Sequence, residues 1–540
     1  MKKAFFLTGL AALGLAPAAA GVGIAQPPAP ASTAPAAPPP AAAPVPAAPA
    51  AAPALSAEEI EASRRAVGSA DVGRLLNDRA YAATMLAHLD RLAPLAESDP
   101  EIRLAIENLR LFALITQERP DDVRAGVDSV LAQRPTEGAH YVGAWYGALS
   151  IEDMDRALAV VETASRNVPG VRWAALREIF EVDPVGLVLR RFQELHQEDK
   201  RARMAQALFH IGWTGGGDAE EADFIRSILV EDRLRQHDER GAADLAAGIV
   251  TPSEILPMIV QTRFDTALPP GRDRLELLGG ALAARDRATA EALAGAPRDV
   301  RRVLDRMQYL RSLGRDSDAL ALAMPFTRDV RATVAAGREG MWIVNEAAYA
   351  LIALGRNDEA VALMRRLVAL PVAQNGALIG PFINHAEILN ATGRHAEALD
   401  HARMLARDDA SYANDYGKMW ISSSTVCALA GLNRSPEAAP ELERMRAQSD
   451  VNPAALTRAY LCLGDSDAAA ALMVHRLQGD DAKAAILALQ NYTLSHESGQ
   501  DGRLFALLAA LRDRPEVSAA LARVGHVLTL PLARTYWGGF

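Results

Sequence analysis

The chain has 540 residues, a formal charge of −10, 50% hydrophobic and only 5% aromatic residues. An acidic balance excludes nucleic acid as a general partner, because phosphate binding needs a basic face. Abundant Ala suits close helix packing, and no long stretch alternates apolar with polar at period two, so a sheet protein is excluded in favour of an all-α one.

The first residues read as an address. Lys2 and Lys3 form a short positive region, Ala4 to Leu15 is an apolar run too short to span a bilayer, and small residues follow at Ala18-Ala19-Ala20 and at Gly23-Ile24-Ala25. This layout predicts a bacterial signal peptide over 1–25, cleaved after Ala20 or Ala25. No Cys follows the apolar run, which disfavours a lipid anchor. No other run of about 18 apolar residues occurs, so no stable membrane span is expected in the mature chain, and the expected location is periplasmic or secreted.

Residues 26–55 are built mostly of Pro and Ala. Such a segment buries no core and favours extended polyproline II, which predicts a spacer. Helix is expected from Ser56, where Ser56-Ala-Glu-Glu59 fits a capping box. Over 56–270 amphipathic stretches such as Ile102 to Thr116, Asp121 to Ala132, Met154 to Asn167, Val188 to Gln197 and Ala219 to Leu234 alternate with turns. Pro120, Pro135 and Pro169 lie between them, as helix ends require. These look like helical hairpins of irregular period, and Leu268-Pro-Pro-Gly271 is the expected boundary to a second domain over 271–530.

That second domain repeats. Leu313-Gly-Arg-Asp-Ser-Asp-Ala319, Leu354-Gly-Arg-Asn-Asp-Glu-Ala360, Thr392-Gly-Arg-His-Ala-Glu-Ala398, Leu432-Asn-Arg-Ser-Pro-Glu-Ala438 and Leu463-Gly-Asp-Ser-Asp-Ala-Ala469 align. Each runs from a residue that tolerates a left-handed helix end to an Ala five positions on. The turn residues stand at 314, 355, 393, 433 and 464, with Trp342 and Trp420 each 13 positions before one of them. Acidic residues before the Ala suit the first turn of the next helix.

This pattern resembles the tetratricopeptide repeat family over roughly residues 300–480. The match is to its Leu-Gly-x-x-x-x-Ala core. The family's mid-helix Gly is replaced by Ala348, Ala386 and Val426, the closing Pro is missing, and most spacings exceed the family's usual period. The resemblance implies an α–α superhelix, a solenoid of hairpins whose first helices line a groove. It places Arg311, Trp342, Asn345, Tyr349, Glu387, Asn390, Trp420 and Arg458 on that lining. Trp, Tyr and Arg are the types that anchor partners. The competing reading has Trp342 and Trp420 filling space between repeats. The Lys/Asn set with which some members clamp a peptide carboxylate is missing.

Signatures of catalysis are not found: no H-E-x-x-H, G-x-S-x-G, S-x-x-K or P-loop, and Gly215-Gly-Gly217 reads as a surface turn. No cofactor and no metal is expected, and His385, His395 and His401 are read as packed or solvated. Cys427 and Cys462 sit 6 and 2 positions before their turns, about one helical turn out of step, which favours two buried thiols over a bridge. Glu152-Asp153, Glu220-Glu221 and Asp408-Asp409 read as solvated pairs. The tail over 531–540 ends in Phe540, as outer-membrane barrels do, yet Gly538 stands where an apolar residue is needed and no alternating strands precede it, so it is expected to dock on the solenoid or on a partner. The expected function is a non-enzymatic protein-binding or scaffold role in the bacterial cell envelope. The alternative is a wall-acting hydrolase or lyase with its site in the N-terminal half.

Overall fold

The computed structural model describes residues 57–96, 100–215, 219–372, 376–495 and 499–534. The expected signal peptide, the Pro/Ala spacer, Ser56 of the capping box, and Gly216 and Gly217 lie outside the described residues. The fold is all-α, a solenoid-like succession of helical hairpins, with 28 α-helices among the described residues. One two-residue parallel pair interrupts it, Asn491–Tyr492 beside Thr529–Leu530. No helix among the described residues is long and apolar enough to cross a membrane.

The described residues divide into two compact units, one up to Asp232 and one from Arg233. The sequence had placed the boundary at Leu268–Gly271. That loop lies inside the second unit, because the helix Pro252–Val260 before it packs on both Arg274–Gly295 and Ala482–Ala488.

In the second unit the five aligned segments form five hairpins. Their helices are Val300–Ser312 with Asp316–Thr327, Arg338–Ala353 with Asn357–Val368, Ile379–Ala391 with His395–Met404, Asp415–Gly431 with Ala439–Ala447, and Pro453–Leu463 with Ser466–Gln478. Every turn residue is left-handed: Gly314 (φ 67°), Gly355 (72°), Gly393 (74°), Asn433 (59°) and Gly464 (74°). Each first helix ends in the same pair of bonds. The turn N–H donates three residues back, as Gly355 does to Ile352 O at 2.9 Å, and the next N–H donates five back, as Arg356 does to Leu351 O at 2.8 Å. This is the Schellman closure, which satisfies carbonyls a helix end otherwise leaves open.

The Ala five positions beyond the turn is 0% exposed in all five hairpins (Ala319, Ala360, Ala398, Ala438 and Ala469). A methyl there lets the second helix seat against the first; a longer side chain would hold the pair apart. Each second helix also packs on the first helix of the next hairpin, and successive first helices pack on one another. One apolar core results, running from Leu256 to Leu532.

The first unit uses the same turn. Glu118, Glu152, His196 and Gly212 are left-handed (φ 56°, 56°, 52° and 64°) and close their helices with the same two bonds, such as Asp153 N–H to Ala148 O at 2.9 Å. The hairpins are Pro100–Thr116 with Pro120–Gln133, Val142–Ser150 with Met154–Asn167, and Val182–Glu194 with Glu198–His210. The expected Val188 to Gln197 helix starts six residues earlier, at Val182, because Pro184 fits a first turn, where its missing N–H costs nothing.

After Gln478 the second unit changes pattern. Helices Ala482–Ala488, Gly499–Arg512 and Pro515–Val524 turn back on the array. Gly499–Arg512 packs on the first helices Ile379–Ala391 and Pro453–Leu463. The His526 N–H donates to Val260 O at 2.8 Å, and its ring meets Asp265 at 3.0 Å. Ala533 N–H donates to Ser312 O at 2.8 Å. The last helices of this unit are thus joined to its first.

Candidate functional site

The eight residues expected to line an open groove take two different roles. Arg311, Asn345, Asn390 and Arg458 are buried. Arg311 donates to Asp316 at 3.1 Å and to Glu346 of the next hairpin, with its guanidinium 5.4 Å from the Tyr349 ring. Asn345 accepts from Asn384 at 3.0 Å, and Asn390 donates to Ser424 O at 2.9 Å. Arg458 donates to Glu387 at 2.6 Å, joining the fifth hairpin to the third. These polar groups therefore bond hairpin to hairpin along the first helices. A buried polar group without such a partner costs heavily, so the bonds fix repeat register.

Part of that inner face is also covered by the chain itself. Leu504 and Leu508 of Gly499–Arg512 are buried in the same core as Ile383 and Leu461. The start of the C-terminal tail docks nearby: Arg534 donates to Ala488 O at 2.7 Å and lies between the rings of Tyr492 and Phe505, at 4.7 and 4.6 Å. Thr535–Phe540 lie outside the described residues.

The three histidines do not form one cluster. His385 and His401 pack ring against ring at 4.7 Å, while His395 Nδ1 meets Asn390 Oδ1 at 3.1 Å. Burial, with His401 and Arg365 nearby, pushes His385 down to about 3. Burial also lowers His395, helped by Arg503. No group of three His, Cys, Asp or Glu side chains that could hold a metal ion occurs among the described residues.

The cysteines correct the sequence reading: Cys427 and Cys462 form a disulfide, with Cα atoms 5.1 Å apart. Asp415–Gly431 and Pro453–Leu463 pack directly on each other with both cysteines in the core, so positions offset by one turn from their hairpin ends still meet. The acidic pairs have local roles. Asp153 caps a helix by accepting from Arg156 N at 3.0 Å, Glu220 and Glu221 sit in the first turn of Ala219–Arg235, and Asp408 pairs with Arg407.

The two tryptophans differ from the buried set in keeping an exposed edge. Trp342 is half-buried against the next hairpin, where a Cβ on Gly380 would lie 3.3 Å from its ring. Trp420 is half-buried and meets Tyr416 edge to face at 6.5 Å. Tyr416 is 51% and Tyr412 41% exposed, and Val451, in the connection to the fifth hairpin, is exposed too. The platform is held firmly. Asn414 caps the helix at Gly417 N (2.9 Å), and the buried Asn452, which caps the next first helix at Ala455 N (3.0 Å), also donates to Tyr416 O at 3.2 Å. Tyr412 and Tyr416 were not singled out from the sequence. Tyr416 and Trp420 stand four residues apart on Asp415–Gly431, the spacing of one helix face, whereas Tyr412 ends a separate short turn, Ala410–Tyr412, before the Asn414 cap.

Compared with models of known protein families and with curated proteins, the chain matches none of them.

Proposed function

We propose that this chain is a non-enzymatic protein-binding or scaffold protein of the bacterial cell envelope, built of tetratricopeptide-like hairpins, which holds its partner on the aromatic edge at Tyr412, Tyr416 and Trp420. The observation that carries this reading is the exposure of Tyr416, with Trp420 half-exposed edge to face against it on a helix fixed by two Asn caps, and with Tyr412 exposed in the turn just before that helix. Large, rigid, amphipathic side chains give contact area at low entropic cost, and such residues dominate binding energy. The inner-face residues support the array, and Trp342 with Tyr349 extends the partly open surface toward the second hairpin. Lys2, Lys3 and the apolar run that follows support export, and residues 26–55 support a spacer between the address and the folded units.

The test is a pull-down from envelope extracts with wild type and with Tyr416→Ala combined with Trp420→Ala. Loss of the captured partner by at least about tenfold, with unchanged circular dichroism, is the expected outcome for two aromatic anchors. Equal capture by the double variant, or turnover of wall glycan by the purified chain, would sink this reading.

A further inference from the structure

The Cys427–Cys462 bridge sets an order of events. These are the chain's only two cysteines, so no third thiol can shuttle the bond within the molecule. In the folded chain Cys427 is 0% and Cys462 5% exposed, both inside the apolar core between Asp415–Gly431 and Pro453–Leu463. Making the bridge removes two protons and two electrons from the thiols. In disulfide exchange, one thiolate attacks the oxidant's disulfide to give a mixed disulfide. The second thiolate then displaces the oxidant, which leaves as a dithiol or as two thiols. The mixed disulfide needs room for a foreign group on one of these sulfurs, and an apolar site disfavours the thiolate that must attack. Neither condition is met once the fourth and fifth hairpins have closed.

We propose that this chain is a substrate of a dithiol–disulfide oxidant only before its repeats pack. The bridge is made on the open chain, 35 residues apart in sequence, and closure of the hairpins then seals it. For an exported chain this means that it arrives reduced and unpacked and meets the oxidant in its destination compartment. That last consequence rests on the proposed location; the order of oxidation and packing does not.

The experiment uses the full purified chain, reduced in urea. One portion receives oxidised glutathione while unfolded. Another is refolded under reductant, desalted, and then given the same oxidant. Alkylation at timed intervals and mass spectrometry report the bridged fraction, and circular dichroism reports folding. Bridging in the refolded portion should be slower by at least about a hundredfold, since it waits for the hairpins to open. Native oxidised protein should resist dithiothreitol to a similar degree. The Cys427→Ala, Cys462→Ala double variant shows whether packing is possible without the bridge. If neither it nor the reduced chain refolds, no packed dithiol form exists and the proposed order stands. If the reduced chain refolds and then oxidises as fast as the unfolded one, the proposal is overturned.

Discussion

His385 shows how one side chain couples the array to acidity. It is 5% exposed on Ile379–Ala391, and neither ring nitrogen has a hydrogen-bond partner. The groups that face it, His401 and Arg365, are basic, so they add to burial in opposing its protonation. In the folded chain it stays neutral down to about pH 3, whereas in the unfolded chain it takes up a proton below its ordinary value of 6.5. Its contribution is therefore complete above pH 6.5 and is lost progressively as the pH falls toward 3. Urea unfolding at pH 7 and pH 5 should show His385→Leu losing less stability than wild type across that interval, by about 2 kcal/mol. At neutral pH the substitution should be neutral or slightly stabilising, because it removes an unpaired buried polar group. Identical pH dependence in the two proteins would show that His385 is not held neutral.

At the scale of the element, the hairpin turn explains what was legible and what was not. The repeats after residue 300 could be seen because Gly, or Asn433, stands at every left-handed position and Ala five residues on. The same closure is made at Glu118, Glu152 and His196, where an ordinary side chain bears the backbone strain, so the repeat motif vanishes while the geometry persists. Val123 and the buried Arg201 then stand where Ala is found in the second unit, and only Ala157 keeps it, which blurs the pattern further. The turn chemistry gives a prediction of opposite signs. Glu118 is exposed at φ 56°, so Glu118→Gly should raise unfolding free energy by about 0.5–1 kcal/mol. Gly355 has φ 72° and open space around it, so Gly355→Ala should cost about 1 kcal/mol through the backbone alone. Denaturant unfolding of both variants checks this; changes of the same sign would mean that left-handed strain does not control these turns.

The candidate site was legible in register but not in environment. The residues at the repeat positions do lie along the first helices, as Arg311, Asn345, Asn390 and Arg458 show. They bond to Glu346, Asn384, Ser424 and Glu387 of neighbouring hairpins, and Gly499–Arg512 packs on the first helices of the third and fifth hairpins, which carry Asn390 and Arg458. Those contacts join residues 34 to 71 positions apart, or more in the case of the covering helix, and no local periodicity announces them. The disulfide belongs with them: it too joins neighbouring hairpins, 35 residues apart, and counting positions from each turn does not show which residues of two packed helices meet.

For the whole molecule, the second unit is an array that bonds its own interior and joins its last helices to its first. His526 with Asp265 and Ala533 with Ser312 make that closure. Burial alone would raise the Asp265 carboxyl, but hydrogen bonds from Arg274 and His526 hold it below its ordinary value, so this junction is kept charged on the acidic side. An array that consumes its inner polar residues on itself keeps them from a partner, which is why the proposed binding surface is the exposed aromatic edge at Tyr412, Tyr416 and Trp420. The most direct measurement places a photo-crosslinking residue at 416 and, separately, at the buried inner position 390, in the full chain expressed in its native cells. The account predicts a defined crosslinked partner from 416 that disappears with Trp420→Ala, and none from 390. A partner captured from 390 and not from 416 would contradict it, because the groove would then be open and the aromatic edge idle.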